Sequence, residues 1–210
     1  MITRKKSCEK GRTIVEMIAY ISVLITLTAS FAALVRRGFY KYESSTIQQE
    51  LTDLKKAIAT SYTADGNYDN VKLNDLCVNR VGPRPLVPAR SCKKKNNVEV
   101  CECASQSGRH TFGGSVNIGP SDCKGTGNTS CETFFIEFKN VPKDICIQLG
   151  SKSWDTMEGS DLDHMEVNDT SWGWPDSPIS TISGAQRLPA QIKDVSQACK
   201  DKSTLRWYFN

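Results

Sequence analysis

The sequence predicts an α+β chain: one long N-terminal helix leading into an antiparallel sheet with short helices, braced by disulfides. Three observations predict it. The stretch Ile14 to Val35 is apolar with Glu16 as its single charge, apolar residues at helical spacing continue from Ile47 to Tyr62, and all but one of the nine cysteines lie among short aromatic and β-branched runs beyond Asp65. With 39% hydrophobic and 24% charged residues in a length of 210, the chain has an ordinary globular composition. That excludes a disordered tail, a collagen-like repeat and a polytopic membrane protein. The net charge of +4 is mild and dispersed, and no basic stripe interleaved with aromatics suggests nucleic-acid binding.

Met1 to Gly11 carries Arg4, Lys5, Lys6 and Lys10 against a single Glu9, so most of the chain's positive balance sits ahead of the apolar run. A helix of about 20 apolar residues spans a bilayer's hydrocarbon, and a basic flank stays on the cytoplasmic side. Arg36, Arg37 and Lys41 flank the far end and blunt that asymmetry. Ser22, Thr26, Thr28 and Ser30 fit such a helix because their hydroxyls can bond back to the preceding turn. Glu16 is the exception. A carboxylate in hydrocarbon costs about 2.5–3.5 kcal/mol and persists where it snorkels to the surface or pairs with a cation at matching depth.

Beyond the apolar run, Ile47, Leu51, Leu54, Ile58 and Tyr62 form the stripe of an amphipathic helix, with Gln48, Gln49, Glu50, Asp53, Lys55 and Lys56 on its other faces. The first proline is Pro83, so a single helix is expected from Arg12 to Ala64, roughly 80 Å at 1.5 Å per residue. Asp65-Gly66-Asn67 ends it. Within 65–210, strands are expected at Val116–Ile118, Phe134–Phe138 and Leu205–Phe209, and short helices near Lys143–Gly150 and Ala190–Ala198. The stretch from Arg80 to Cys131 is expected to be an irregular loop whose bridges compensate for a sparse core.

Removing Cys8 with the N-terminal segment leaves an even set: Cys77, Cys92, Cys101, Cys103, Cys123, Cys131, Cys146 and Cys199. An even set outside the cytoplasm suits a disulfide framework, although eight cysteines allow roughly a hundred connectivities. The competing zinc reading of Cys92, Cys101, Cys103, Cys123 and Cys131 lacks C-x2-C spacing and an adjacent histidine. No metal or cofactor is expected. Gly113-Gly114 and Gly125-Thr126-Gly127 are turns rather than phosphate loops, and His110 and His164 belong to no catalytic motif. Asp155, Glu158, Asp161, Asp163 and Glu166 are expected in a solvated acidic loop, their spacing fitting no EF-hand. Trp172-Gly173-Trp174-Pro175 is either an exposed contact for a neighbouring molecule or a loop packed on its own head.

The run Lys10-Gly11-Arg12-Thr13-Ile14-Val15-Glu16-Met17 resembles the type IV prepilin signal. The resemblance implies that a prepilin peptidase cuts after Gly11, that the new terminus Arg12 is N-methylated, and that Glu16 is the glutamate at the fifth mature position. Tyr62 to Tyr68, Phe134–Phe138 with Val141–Leu149, and Ala198-Cys199-Lys200 leading to Leu205–Phe209 are similar to the type IVb pilins. That likeness implies the type IV pilin fold and a Cys146–Cys199 disulfide, and leaves the other six cysteines unpaired on paper.

The domains expected are a leader at 1–11, a long helix at 12–64 with its membrane half at 14–35, and a globular head at 65–210. The resemblance implies a non-enzymatic subunit that sits in the inner membrane as precursor, is handled by the inner-membrane assembly machinery, and self-associates into an extracellular pilus for adhesion, aggregation or mating contact. Two other readings share parts of the sequence: a pseudopilin or minor pilin, and a secreted cysteine-rich binding protein whose residues 1–33 are a cleaved signal peptide, leaving a mature terminus near Leu34.

Overall fold

Helix α1, Glu9–Tyr62, is continuous over 54 residues in the computed structural model, as the absence of proline allows. The structure describes residues 9–95, 98–105, 107–124, 130–154, 161–168, 170–174 and 186–210. The helix begins inside the expected leader and ends short of Ala64, where Asp65 N–H returns to the Tyr62 carbonyl and Gly66 takes φ +69°. The chain divides into two compact units, Met1–Glu43 and Ser44–Asn210. The boundary falls within α1, just ahead of the stripe that starts at Ile47, because those residues belong to the head's own core.

Within the second unit, Ile47, Leu51, Leu54 and Ile58 are fully buried. Burial of four such side chains contributes about 1.5–3 kcal/mol each. An aromatic chain runs from this helix into the sheet: Tyr62 lies 6.5 Å from Tyr68, Tyr68 4.7 Å from Phe134, and Phe134 5.5 Å from Phe209. After α1 come α2 (Leu73–Asn79), the strands β1 (Arg90–Lys95) and β2 (Val98–Cys103), then β3 (Gly108–Arg109), β4 (Ser115–Lys124) and β5 (Ser130–Pro142). Helix α3 (Lys143–Gly150), strands β6 (Leu162–Val167), β7 (Thr170–Gly173) and β8 (Gln186–Arg187), helix α4 (Ile192–Ala198) and strand β9 (Lys202–Phe209) complete it.

The seven-stranded sheet has the order β3-β4-β5-β9-β6-β7-β8, and β1-β2 form a separate ribbon. Pairing is antiparallel except at the β7–β8 edge, which is parallel. The closing strand β9 therefore lies at the centre of the sheet, paired on both sides. Its alternation fixes the two faces: Ser203, Leu205, Trp207 and Phe209 are buried, while Thr204, Arg206 and Tyr208 face the other way. On β5, Phe134, Ile136 and Phe138 are buried in step, and Val141 joins them out of step because a bulge lies between Phe138 and Val141. Asn140 sits in that bulge at φ +60°, a conformation asparagine tolerates.

Two sequence expectations change here. Arg80 to Cys131 is not an irregular loop: among its described residues it supplies β1 to β4 and the start of β5. Residues 161–167 are not an acidic loop either but mostly strand β6, whose inward Leu162, Met165 and Val167 are buried. Asp155 and Glu158 lie outside the described residues.

Candidate assembly site

From Ile14 to Val35 every side chain is exposed, and the span has mean hydropathy 2.2. Leu24 is 66% and Phe31 69% exposed, the reverse of what large apolar residues adopt in water. Such a surface is stable in hydrocarbon or against other apolar helices. The four serine and threonine hydroxyls on this stretch are spent internally: Ser22 donates to the Ile18 carbonyl at 2.8 Å, Thr26 to Val23 at 2.8 Å, Thr28 to Leu24 at 2.9 Å and Ser30 to Thr26 at 2.8 Å. Glu16 is thus the one charge presented by an otherwise uniformly apolar surface. Gly11 and Arg12 lie in helical backbone ahead of it.

All eight cysteines of the head are joined in pairs: Cys77–Cys103, Cys92–Cys101, Cys123–Cys131 and Cys146–Cys199. Cys146 on α3 and Cys199 after α4 are both buried, so their bridge ties the approach to β9 onto the helix that follows β5. Two bridges join directly opposed residues of paired strands, Cys92 to Cys101 and Cys123 to Cys131. Cys77–Cys103 fastens α2 to the β1–β2 ribbon. Atoms of Cys92, Glu99 and Cys101 lie within 4.8 Å of one another, yet both sulfurs are oxidised and offer no thiolate to a metal.

The sheet face opposite the core carries a polar row that crosses five strands, from β4 to β7. Asn117 donates to Glu137 at 2.9 Å, Arg206 to Glu137 at 2.6 Å and to Glu166 at 3.4 Å, and Ser171 to Glu166 at 3.3 Å. Burial alone would raise the Glu137 carboxyl, but hydrogen bonds from Asn117, Arg206 and Lys139 outweigh it and hold it below the usual carboxylate range. Tyr208 donates to Glu166 at 2.8 Å, and burial with that charged acceptor pushes its hydroxyl up to about 12. No motif in the sequence marks this row. Its signal was a charge at an alternating position inside each of two aromatic strands, Glu137 in Phe-Phe-Ile-Glu-Phe and Arg206 in Leu-Arg-Trp-Tyr-Phe.

Both histidines are engaged in packing. His110 is buried, stacked 5.3 Å from Phe138; its Nδ1 accepts the Phe112 N–H and its Nε2 lies 2.8 Å from the Lys139 carbonyl. Those partners require the neutral ring protonated on Nε2, and burial moves its pKa below the ordinary value despite the Lys139 bond. His164 stacks on Tyr208 at 3.8 Å with Nδ1 2.7 Å from Asp163. Gly113 occupies a turn at φ +78°, whereas Gly125 to Gly127 lie outside the described residues. Of the tryptophan pair, Trp172 is fully buried with Nε1 donating to Gln186, and Trp174 donates to the Leu162 carbonyl. Their indoles are packed on the head. Asp161, just ahead of β6, stays exposed as expected of it, and pairs with Lys55 of α1 at 3.0 Å.

Residues 41–209 match the family model described as PilS N terminal, a range that takes in the end of α1 and nearly the whole head and begins beyond Gly11, Arg12 and Glu16. No curated protein sequence matches the chain. Among solved structures, the crystal structure of type IV b pilin from Salmonella typhi is 14% identical, covers 78% of this chain and 99% of that one, and has a TM-score of 0.45. The NMR structure of type IVb pilin (PilS) from Salmonella typhi is also 14% identical, covering 80% and 96% respectively with a TM-score of 0.43. By the family match this chain belongs to the PilS family of pilins, which are structural rather than enzymatic proteins.

Proposed function

We propose that this pilin is made as a precursor in the inner membrane, is cut by prepilin peptidase after Gly11 and N-methylated at Arg12, and is then polymerised by the inner-membrane assembly machinery into an extracellular pilus. Residues 1–11 are the leader, 12–64 the assembly helix with its membrane half at 14–35, and 65–210 the head that the fibre displays. The observation that carries this reading is the wholly exposed apolar surface from Ile14 to Val35. In the precursor that surface lies in lipid; in the fibre it packs on the same stretch of other copies. Glu16 is costly in either setting unless neutralised. A free amine at Arg12 of a neighbouring copy supplies the counter-charge, and pairing in a low-dielectric surround fixes how far one helix is staggered along the next. The fibre serves adhesion, aggregation or mating contact.

Glu16→Ala tests this. The variant should insert in the membrane at least as well as the parent, because a charge is removed from hydrocarbon. Its yield of sheared surface fibres should fall about tenfold or more, the loss of roughly 1.4 kcal/mol or more per subunit contact. Fibre yield equal to the parent's would contradict the register role of Glu16.

A further inference from the structure

The Cys92–Cys101 bridge differs from the other three. Each of those has at least one half withdrawn from solvent, at Cys77, at Cys131, and at both Cys146 and Cys199. Cys92 and Cys101 are both only half-buried, on a two-stranded ribbon that shares no ladder with the main sheet. A second feature is Arg90. Its guanidinium donates through Nε to Cys92 Sγ and through Nη2 to Cys101 Sγ, while Nη1 is anchored on the Val78 carbonyl at 2.7 Å. A cation held against a sulfur favours thiolate over thiol, and a departing thiol of lower pKa leaves faster in disulfide exchange. The Glu99 carboxylate, within 4.8 Å of both sulfurs, acts in the opposite sense, but it is exposed and screened by water whereas the guanidinium touches both sulfurs.

We propose that Cys92–Cys101 is the exchange-competent disulfide of the head, the site at which an external dithiol reacts while the other three bridges stay closed. A thiolate of the dithiol attacks Cys92 Sγ; the new sulfur–sulfur bond forms as the Cys92–Cys101 bond breaks, and the electron pair stays on Cys101 Sγ against Arg90 Nη2–H. The second thiol of the reagent gives its proton to solvent and attacks the mixed disulfide, releasing Cys92 as thiolate. Two electrons enter the protein, and the dithiol leaves as a disulfide. Because Cys77–Cys103 still fastens the base of the ribbon to α2, the opening is local and the head keeps its core.

The test is timed exposure of the full chain in detergent to dithiothreitol, quenched by alkylation and mapped by peptide mass spectrometry. Cys92 and Cys101 should be alkylated about tenfold faster than any other cysteine, with the head's Tm unchanged at that stage. Another pair opening first, or all four opening together, would overturn the proposal. Arg90→Gln should slow the opening about tenfold, and Arg90→Lys, which keeps the charge, should recover most of the rate. An unchanged rate in a folded Arg90→Gln variant would overturn the role of the guanidinium. If that variant does not fold, the order of opening in the unmutated chain decides alone.

Discussion

His110 shows how one side chain ties the head's stability to pH. Its ring is neutral in the fold because Phe112 N–H already donates to Nδ1, and burial depresses its pKa. The unfolded chain takes up that proton near the ordinary value of about 6.5, so the fold is at full stability above it and loses stability as pH falls through it. Thermal melts from pH 8 to 5 should show Tm falling on the acid side, and His110→Gln should flatten that limb. Glu137 acts further down: its depressed carboxyl contributes stability above the ordinary carboxylate range, lost as pH drops below it. Removing its partner by Arg206→Ala should cost about 2 kcal/mol in denaturant titration, since Asn117 and Lys139 still satisfy the other carboxylate oxygen. Gly150 is constrained by space: a Cβ there would meet Val195 Cγ1 at 2.6 Å. Gly150→Ala should therefore lower stability by about 1–3 kcal/mol, read as a drop in Tm.

Elements with strong periodicity or strong boundaries were legible in the sequence, and those without were not. The stripe from Ile47 to Tyr62 and the span from Ile14 to Val35 announced α1 because proline is absent and each half follows a recognisable pattern. Lys143–Gly150 was readable because Pro142 marks its start. Helix α2 carries little sequence signal: it has only seven residues, no side-chain cap at Lys72, and a left-handed stop at Arg80 where glycine is the usual signal. Strand β6 resembles an acidic loop in sequence because Asp163 and Glu166 hide its inward residues, and the shift in its pairing with β9 breaks the alternation. Trp172 was ambiguous because its burial depends on pairing with Gln186 of β8, distant in sequence. For α1 itself, Leu54→Ala should destabilise the head by about 2–5 kcal/mol in a denaturant titration, since Leu54 is fully buried. Replacing the exposed Leu24 by Ala should leave the head's melt unchanged, because it lies in the other compact unit.

At the level of the whole molecule, one chain combines an apolar surface that requires lipid or other helices with a head that carries four bridges. The bridge from Cys146 to Cys199 holds together the approach to the central strand, so the paired change of both to Ser should cost about 2–5 kcal/mol. Of the candidate assembly site, the apolar span and its single charge are readable from the pattern of residues; the resemblance implies the Cys146–Cys199 bridge, and the other three pairings are illegible because they depend on strand register and on α2. In the proposed fibre the finished subunit keeps Ile14–Val35 as its assembly surface and begins just ahead of it. Intact mass spectrometry of protein sheared from the cell surface tests this most directly. The mass should be that of a chain starting at Arg12 with one added methyl group and four disulfides; a chain still starting at Met1, or one cut near Leu34, would overturn the proposed processing.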